Sequence, residues 1–186
     1  MSKKIVTCRD KQFELFIDSE QLQKRIKVLT ERINTEYKGK TPVFLSVLNG
    51  VFRFAADVVK HIEIDCEISF VKIRSYTGMK SGDLATLIGL DTDLEGREVI
   101  ILEDIVDTGK TLYHFLPELQ KMKPASVKIM TLLVKPEAAQ YEVPLSFVGF
   151  SVPNYFLLGY GLDYDGLGRH YNDLYKVIEA PVVKKN

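Results

Sequence analysis

The stretch VIILEDIVDTGKTL, residues 99–112, decides the fold and also indicates what the protein binds. Its first half belongs to EVIIL, residues 98–102, a short apolar run of the kind that a buried parallel strand shows. Two acids, Glu103 and Asp104, follow where we expect this strand to end, and a helix is predicted to begin after Gly109. A strand that leads through a polar turn directly into a helix is the repeating unit of α/β folds.

The flanking segments alternate in the same way between apolar runs and helical patterns. We predict further strands in PVFLSVL (42–48), CEISFVKI (66–73), SVKIMTLLV (126–134) and LSFVGFSV (145–152), and helices from the Asp18-Ser19 N-cap to Gly39, from Phe54 to Ile62 and over 112–122. This order predicts an α/β fold with a mainly parallel central sheet and helices on both faces. Because ligands of such sheets lie at the carboxyl ends of the strands, a site is expected where Asn49, Glu103 and Lys135 each follow a predicted strand.

Length and composition exclude several classes of protein. A chain of 186 residues fits a single domain, 1–186, and its 25 basic residues balance 25 acidic ones, so no overall attraction to nucleic acid is expected. No apolar run approaches the roughly 20 residues of a membrane span, and the N-terminus lacks the apolar core of a secretory signal. Cys8 and Cys66 have neither zinc-site nor redox-motif spacing. We therefore predict a cytoplasmic protein with reduced thiols that does not bind membranes.

The segment after the central strand has the properties of a site for a single phosphate. A nucleoside-triphosphate loop would need glycine at position 104, which is Asp104, and the dinucleotide pattern G-x-G-x-x-G does not occur. Backbone amides from 107 to 111, the hydroxyls of Thr108 and Thr111 and the dipole of the following helix can instead hold one phosphate. Gly109 would let the backbone approach it closely.

The acid pair sets the second requirement on the ligand. Glu103 and Asp104 lie too near this turn to favour a second unscreened phosphate, but they can accept hydrogen bonds from a sugar diol or hold Mg²⁺ through oxygen. A ribose 5-phosphate satisfies both requirements, with its hydroxyls on the acids and its phosphate in the turn.

VIILEDIVDTGKTL resembles the phosphoribosyl-diphosphate (PRPP) motif of type I phosphoribosyltransferases, and EDIVDTGKT is close to the form found in their hypoxanthine-guanine members. The resemblance extends over about residues 40–175. It implies a core over about 40–150 and a small hood built from about 1–17 and 151–186. It also implies a purine-salvage enzyme that, with Mg²⁺, transfers ribose 5-phosphate from PRPP to hypoxanthine or guanine and releases pyrophosphate, giving IMP or GMP.

The resemblance also implies roles for individual residues of the motif. Asp107 would be the catalytic base that takes a proton from N7 of the purine, and Glu103, Asp104 and Asp163 would be the metal-binding acids. The ribose and PRPP would be bound by the following set: Glu103, Asp104, Asp107, Thr108, Gly109, Lys110 and Thr111.

Two further segments resemble the family's base-binding regions. In LLVKP, residues 132–136, Lys135 would donate to the 6-oxo group of the purine, a contact that a 6-amino group cannot accept. In VPNYFLLGYGLDYDGLGRHYNDLY, Phe156 would stack on the base and the backbone of Leu157 would contact the ring edge. Asp163 would belong to the purine-binding set and, as a metal-binding acid, would lie near the pyrophosphate, and Arg169 would bind the pyrophosphate.

The last two segments resemble the lid and the pyrophosphate loop. Ser75 and Tyr76, in SYTG, would close over PRPP and exclude water. In VLNG, residues 47–50, Asn49 and Gly50 would contact pyrophosphate, and a cis peptide between Leu48 and Asn49 is implied. Many family members carry a basic residue where this chain has Asn49, so we expect one charge contact to be lost, with Arg53 as a candidate replacement.

Two alternatives remain open on the sequence alone. A PRPP-sensing regulator of the same fold would bind nucleic acid, although the balanced charge offers no basic surface for it. A transferase for xanthine or a pyrimidine would differ only in the base that it accepts. The resemblance further implies a homo-oligomer, either a dimer or a tetramer.

Overall fold

The computed structural model describes residues 4–74 and 86–178. In chain order its elements are β1 (Ile5–Cys8), β2 (Lys11–Ile17), α1 (Ser19–Glu36), β3 (Val43–Leu48), α2 (Phe52–Val59), β4 (Glu67–Arg74), β5 (Thr86–Ile88), β6 (Glu98–Val106), α3 (Lys110–Gln120), β7 (Ser126–Val134), β8 (Phe147–Ser151), β9 (Leu157–Leu158) and β10 (Leu174–Val177). A 3₁₀ turn, Pro136–Ala138, follows β7.

The central sheet has the strand order β5-β4-β3-β6-β7-β8. The five neighbouring strands β4, β3, β6, β7 and β8 pair in parallel, and β5 pairs antiparallel with β4 at the edge. Helices α1 and α2 contribute to the apolar core on one face, while α3 packs on the other. The predicted α/β fold with a mainly parallel sheet and helices on both faces is therefore confirmed.

Helix α1 shows how the local sequence sets these elements. Asp18 caps it with a capping box, because its side chain accepts from the Gln21 amide at 2.8 Å and the Gln21 side chain accepts from the Asp18 amide. The apolar positions spaced along the helix, Leu22, Ile26, Leu29 and Ile33, are all fully buried. The predicted N-cap is confirmed, whereas the helix ends at Glu36, short of Gly39. Helix α2 likewise ends at Val59 and not at Ile62.

The predicted end of the central strand is wrong in a way that matters for the site. Strand β6 continues to Val106, so Glu103 and Asp104 lie inside the strand and not just past it. Pairing with β3 stops at Leu102, but pairing with β7 continues, with Glu103 opposite Thr131 and Val106 opposite Val134. The two acids therefore lie in a part of β6 that is still paired with β7 after its pairing with β3 has ended.

A second, antiparallel sheet, which we call the hood, has the strand order β1-β2-β10-β9. It joins the N-terminal and C-terminal segments around a small core of Cys8, Phe13, Leu158 and Tyr175. The amide of Ser19, at the start of α1, donates to Asp173 at 2.8 Å. The predicted hood is confirmed. Among the described residues, no helix is long and apolar enough to cross a membrane.

Candidate active site

The carboxyl ends of β3, β6 and β7 meet at one edge of the central sheet and place the predicted residues together. The peptide between Leu48 and Asn49, directly after β3, is cis, as the resemblance implied. Gly50 then passes so close to β6 that a Cβ there would lie 1.6 Å from Oδ2 of Asp104. The turn predicted for pyrophosphate and the acid pair predicted for ribose therefore touch, and glycine is required at the contact.

The acid pair occupies an environment that disfavours negative charge. Glu103 is buried, and its Oε2 atom has no hydrogen-bond partner among the described residues. Burial, followed by the charge of Asp104, raises the pKa of Glu103 well above its ordinary value. Burial also raises the pKa of Asp104 to about 6, although its Oδ1 accepts from the Ile105 amide at 2.9 Å. Hydrogen-bond donors or a cation would stabilise both carboxylates.

The turn between β6 and α3 is held by hydrogen bonds from the segment that follows β7. The Thr108 carbonyl accepts from the amides of Gln140 and Tyr141, both at 3.0 Å. Gly109 has a left-handed backbone, φ +80°, and a Cβ there would lie 2.5 Å from the Tyr141 carbonyl oxygen. Because α3 begins at Lys110, the first amides of that helix point toward the turn, as a phosphate site requires. Thr111 lies in the first helical turn.

Lys135 and Asp107 form an ion pair that the sequence analysis missed. The Lys135 ammonium lies 2.9 Å from Oδ2 of Asp107; Lys135 is 7% exposed, whereas the Asp107 side chain is 48% exposed. The signal was present in the strand register. Val106 and Val134 are paired in the parallel sheet, so the residues that follow them are also neighbours. The predicted catalytic base and the predicted purine-recognition lysine are thus in direct contact.

Phe156 presents an aromatic face at the hood. It is 44% exposed, and its ring lies 5.5 Å from that of Tyr164 and 6.1 Å from that of Phe13. The Phe156 carbonyl accepts from the Val177 amide at 2.9 Å, while Leu157 is buried in β9. The phenyl group is therefore held by the hood, with a surface left for stacking.

Asp163 and Arg169 form the acidic and basic sides of one loop, residues 159–172, which we call the acid-arginine loop. Their side chains are paired at 2.6 Å. Asp163 also accepts from the Gly166 amide at 2.7 Å, and Arg169 donates to the Gly161 carbonyl at 2.6 Å. The charges of both residues act on the pKa of Asp104, the arginine lowering it and the acid raising it. The loop therefore borders the acid pair.

The remaining predicted residues have different outcomes. Asn49 is exposed at the turn after β3. The Arg53 guanidinium donates to the His170 and Tyr171 carbonyls, at 2.6 and 3.0 Å, so these donors bind the acid-arginine loop and do not replace a basic residue at position 49. Ser75 and Tyr76, predicted for the lid, lie outside the described residues.

The donor set fits a magnesium ion that is shared with a substrate. Over residues 4–74 and 86–178, no three acidic, histidine or cysteine side chains form a metal cage. Mg²⁺ is commonly held by one or two carboxylates together with substrate phosphates and water. Asp104 and Asp163 border the same space, and the partnerless oxygen of Glu103 adds to the demand for positive charge there.

Comparison with known proteins agrees with this geometry. Residues 17–165 match the family model described as "Phosphoribosyl transferase domain". The chain belongs to the phosphoribosyltransferase family. The hypoxanthine-guanine phosphoribosyltransferase of Lactococcus lactis is 40% identical over 159 residues, which cover 84% of this chain and 86% of that protein. The hypoxanthine-guanine-xanthine phosphoribosyltransferase of Tritrichomonas foetus is 40% identical over 149 residues, covering 79% and 81%.

A solved phosphoribosyltransferase structure is similar to this chain over most of its length. The crystal structure of a hypoxanthine-guanine phosphoribosyltransferase from Bacillus anthracis superimposes with a TM-score of 0.81 at 34% identity, covering 88% of this chain and 96% of that one.

Proposed function

We propose that this phosphoribosyltransferase acts in purine salvage, transferring ribose 5-phosphate from PRPP to hypoxanthine or guanine, with formation of IMP or GMP and pyrophosphate. The observation that carries the proposal is the contact between the Lys135 ammonium and the Asp107 carboxylate, 2.9 Å apart, directly beside the turn suited to one phosphate. This pair supplies a donor and a base where a purine joined to that ribose would lie.

The ribose 5-phosphate end is bound by β6 and the start of α3. The amides from 107 to 111 and the hydroxyls of Thr108 and Thr111 hold the 5-phosphate, with Lys110 beside them. Glu103 and Asp104 accept hydrogen bonds from the ribose diol, which gives the partnerless oxygen of Glu103 a donor. As the bond to pyrophosphate breaks, positive charge develops on the sugar, and the two carboxylates stabilise it.

The base is recognised by the ion pair. On a purine, O6 and N7 lie on the same edge, so neighbouring donor and acceptor groups of the protein can contact both. Lys135 donates to O6, and Asp107 takes the proton from N7. Phe156 stacks on the ring, and Leu157 contacts its edge through the backbone. A 6-aminopurine would present a donor to the Lys135 ammonium where a 6-oxopurine presents an acceptor, so it is disfavoured.

The leaving group is bound at the turn after β3 and by the acid-arginine loop. Asn49 and Gly50 contact pyrophosphate from one side, and Arg169 contacts it from the other. Asp104, Asp163 and Glu103 would hold Mg²⁺, which would supply positive charge to offset that of the leaving pyrophosphate. Ser75 and Tyr76 stay predicted residues of a lid that excludes water.

A spectrophotometric assay with PRPP, Mg²⁺ and a panel of bases tests the proposal. We expect conversion of hypoxanthine and guanine, and none of adenine or uracil. Xanthine is included because the Tritrichomonas foetus relative is named for it as well. Absence of PRPP-dependent conversion with every base would contradict the proposal and return attention to a regulator that senses PRPP.

We also propose that the protein is a cytoplasmic homo-oligomer, a dimer or a tetramer. Both cysteines, Cys8 and Cys66, are free thiols, as in a reducing compartment. Sedimentation equilibrium of the full chain measures the number of subunits, and a monomer at micromolar concentration would contradict this part.

A further inference from the structure

Helix α2 is attached at its start to the turn predicted for pyrophosphate. Phe52, its first residue, donates its amide to the Asn49 carbonyl at 3.4 Å, and the Ala55 amide donates to the Val51 carbonyl at 2.8 Å. The helix is buried through Phe54, Ala55 and Val58, which anchor it in the main core. The turn and the buried helix are therefore directly joined and hydrogen-bonded to each other.

The same helix binds the acid-arginine loop through Arg53. Its guanidinium donates to the carbonyls of His170 and Tyr171 and, at 2.7 Å, to Oδ1 of Asn172. The guanidinium carbon also lies 5.4 Å from the ring centroid of Tyr160, at the other end of the loop. One planar side chain thus fixes both ends of the loop to α2.

A second contact lies one helical turn further along α2. Tyr160 is 2% exposed, and its hydroxyl donates to Oδ2 of Asp57 at 2.5 Å. The Asp57 carboxylate also accepts from Gln23 at 2.6 Å and from Lys60 at 2.5 Å, so this buried acid is well satisfied. Tyr160 has a left-handed backbone, φ +47°, a conformation that a tyrosine keeps where its surroundings hold it.

These contacts determine where the charged side chains of the loop lie. Directly after Tyr160, Gly161 packs on the turn so closely that a Cβ there would lie 2.0 Å from the Gly50 carbonyl oxygen. Arg169 donates to the carbonyl of the same Gly161, and its charge acts on Asp104. Because Asn49 at the turn is neutral, the position of Arg169 determines where a positively charged side chain can contact the pyrophosphate leaving group.

We propose that Arg53 and Tyr160 are positioning residues that hold the acid-arginine loop on α2 and thereby set the affinity for the pyrophosphate end of the substrate. This inference rests on the proposed function. Neither side chain touches the reacting atoms, since both are bound to protein groups. Because Arg169 is the basic residue of that loop, we expect their effect mainly on ligands that contain the pyrophosphate group.

Steady-state kinetics in both directions separates this role from a general structural one. Arg53→Met removes the hydrogen-bonding fork but keeps an apolar stem, and Tyr160→Phe keeps the ring but removes the bond to Asp57. We expect each variant to raise the KM for PRPP, and for pyrophosphate in the reverse reaction, by about tenfold. The KM for hypoxanthine and for IMP, which lack pyrophosphate, stays within about twofold of the parent value.

Arg25→Met is the matched control. Arg25, on α1, also donates to two backbone carbonyls, those of Gly149 and Val148, at 2.7 and 2.8 Å, but on β8 at the far edge of the sheet. We expect this variant to lower the melting temperature in the manner of Arg53→Met and to leave all four KM values unchanged.

The inference is overturned if the KM values for PRPP and IMP rise by the same factor. It is also overturned if Arg53→Met and Tyr160→Phe both leave these KM values unchanged. If Arg53→Met does not fold, Tyr160→Phe decides. A parent protein inactive with every base would contradict the proposed function itself, whereas changes confined to the variants test only the positioning role.

Discussion

Replacing Asp104 by asparagine should stabilise the protein while impairing its binding of PRPP. The carboxylate lies inside β6, and burial raises its pKa from an ordinary 3.8 to about 6. The folded state therefore favours the protonated form, and ionised Asp104 opposes folding. Asparagine removes this charge, and its amide oxygen can still accept from the Ile105 amide, as Oδ1 of Asp104 does at 2.9 Å.

The size of the effect follows from proton linkage. A rise from 3.8 to about 6 corresponds to at most about 3 kcal/mol, since each factor of ten in acidity is worth about 1.4 kcal/mol. Asp104 is partly accessible to water, so we expect a gain of about 1–3 kcal/mol. The cost of ionised Asp104 is absent below the unfolded pKa, grows as the pH rises, and is complete above the folded pKa.

Urea unfolding of the parent and the variant, without substrate or magnesium, at about pH 7.5 and about pH 4 measures this difference. We expect the variant to be more stable at the higher pH, with a melting temperature raised by about 2–4 °C per kcal/mol. Most of the gain disappears at the lower pH. The PRPP-dependent rise in melting temperature should be lost from the variant.

Asp173→Asn is the control, because we expect it to destabilise the protein where Asp104→Asn stabilises it. Burial raises the pKa of Asp173, but hydrogen bonds from Lys4, the Ser19 amide and Tyr175 outweigh it and hold this pKa below the ordinary value. Its carboxylate therefore stabilises the fold above the unfolded pKa, and that stability is lost as the pH falls. The reasoning is refuted if Asp104→Asn is less stable than the parent at about pH 7.5, or if its gain persists unchanged at about pH 4.

Three further substitutions test the proposed reaction. Asp107→Asn should lower kcat by about 10²–10⁴, the range for lost proton transfer, and an unchanged kcat in the steady-state assay would remove Asp107 from the mechanism. Lys135→Ala should raise the KM for hypoxanthine far more than that for PRPP; equal increases would contradict its contact with the base. Gly50→Ala should lower kcat/KM for PRPP by about 10²-fold, because its Cβ would displace the Asp104 carboxylate, and parent-like kinetics would contradict that contact.

Much of the fold could be predicted because local patterns decide it. SVKIMTLLV, residues 126–134, has the bounds of β7, and the N-cap of α1 lies at Asp18 as its sequence indicates. The end of β6 differs from the prediction because the polar residues there resemble a loop, whereas pairing with β7 continues through Val106. Strand length is decided by the neighbouring strand as well as by the strand's own composition.

Some contacts within the site could be predicted from the sequence, and others could not. The pairing of Lys135 with Asp107 could have been found from strand register, since each follows a paired residue of β6 or β7. The contacts of Arg53 with the acid-arginine loop could not, because more than a hundred residues separate the partners along the chain. No periodicity connects α2 to that loop, and only the folded structure shows that the guanidinium of Arg53, a candidate for the pyrophosphate, donates to protein carbonyls.

The position of the acid pair inside a strand has a consequence for catalysis. A carboxylate in a surface loop can turn toward water, which would relieve the cost of its charge. Glu103 and Asp104 are held in place by the pairing of β6 with β7, so they cannot turn toward water in this way. Their charge is compensated when sugar hydroxyls or a cation arrive, and more so as positive charge develops on the ribose. Burial destabilises the two charges in the protein without substrate, and this cost is relieved most in the transition state, which is therefore stabilised relative to the free enzyme.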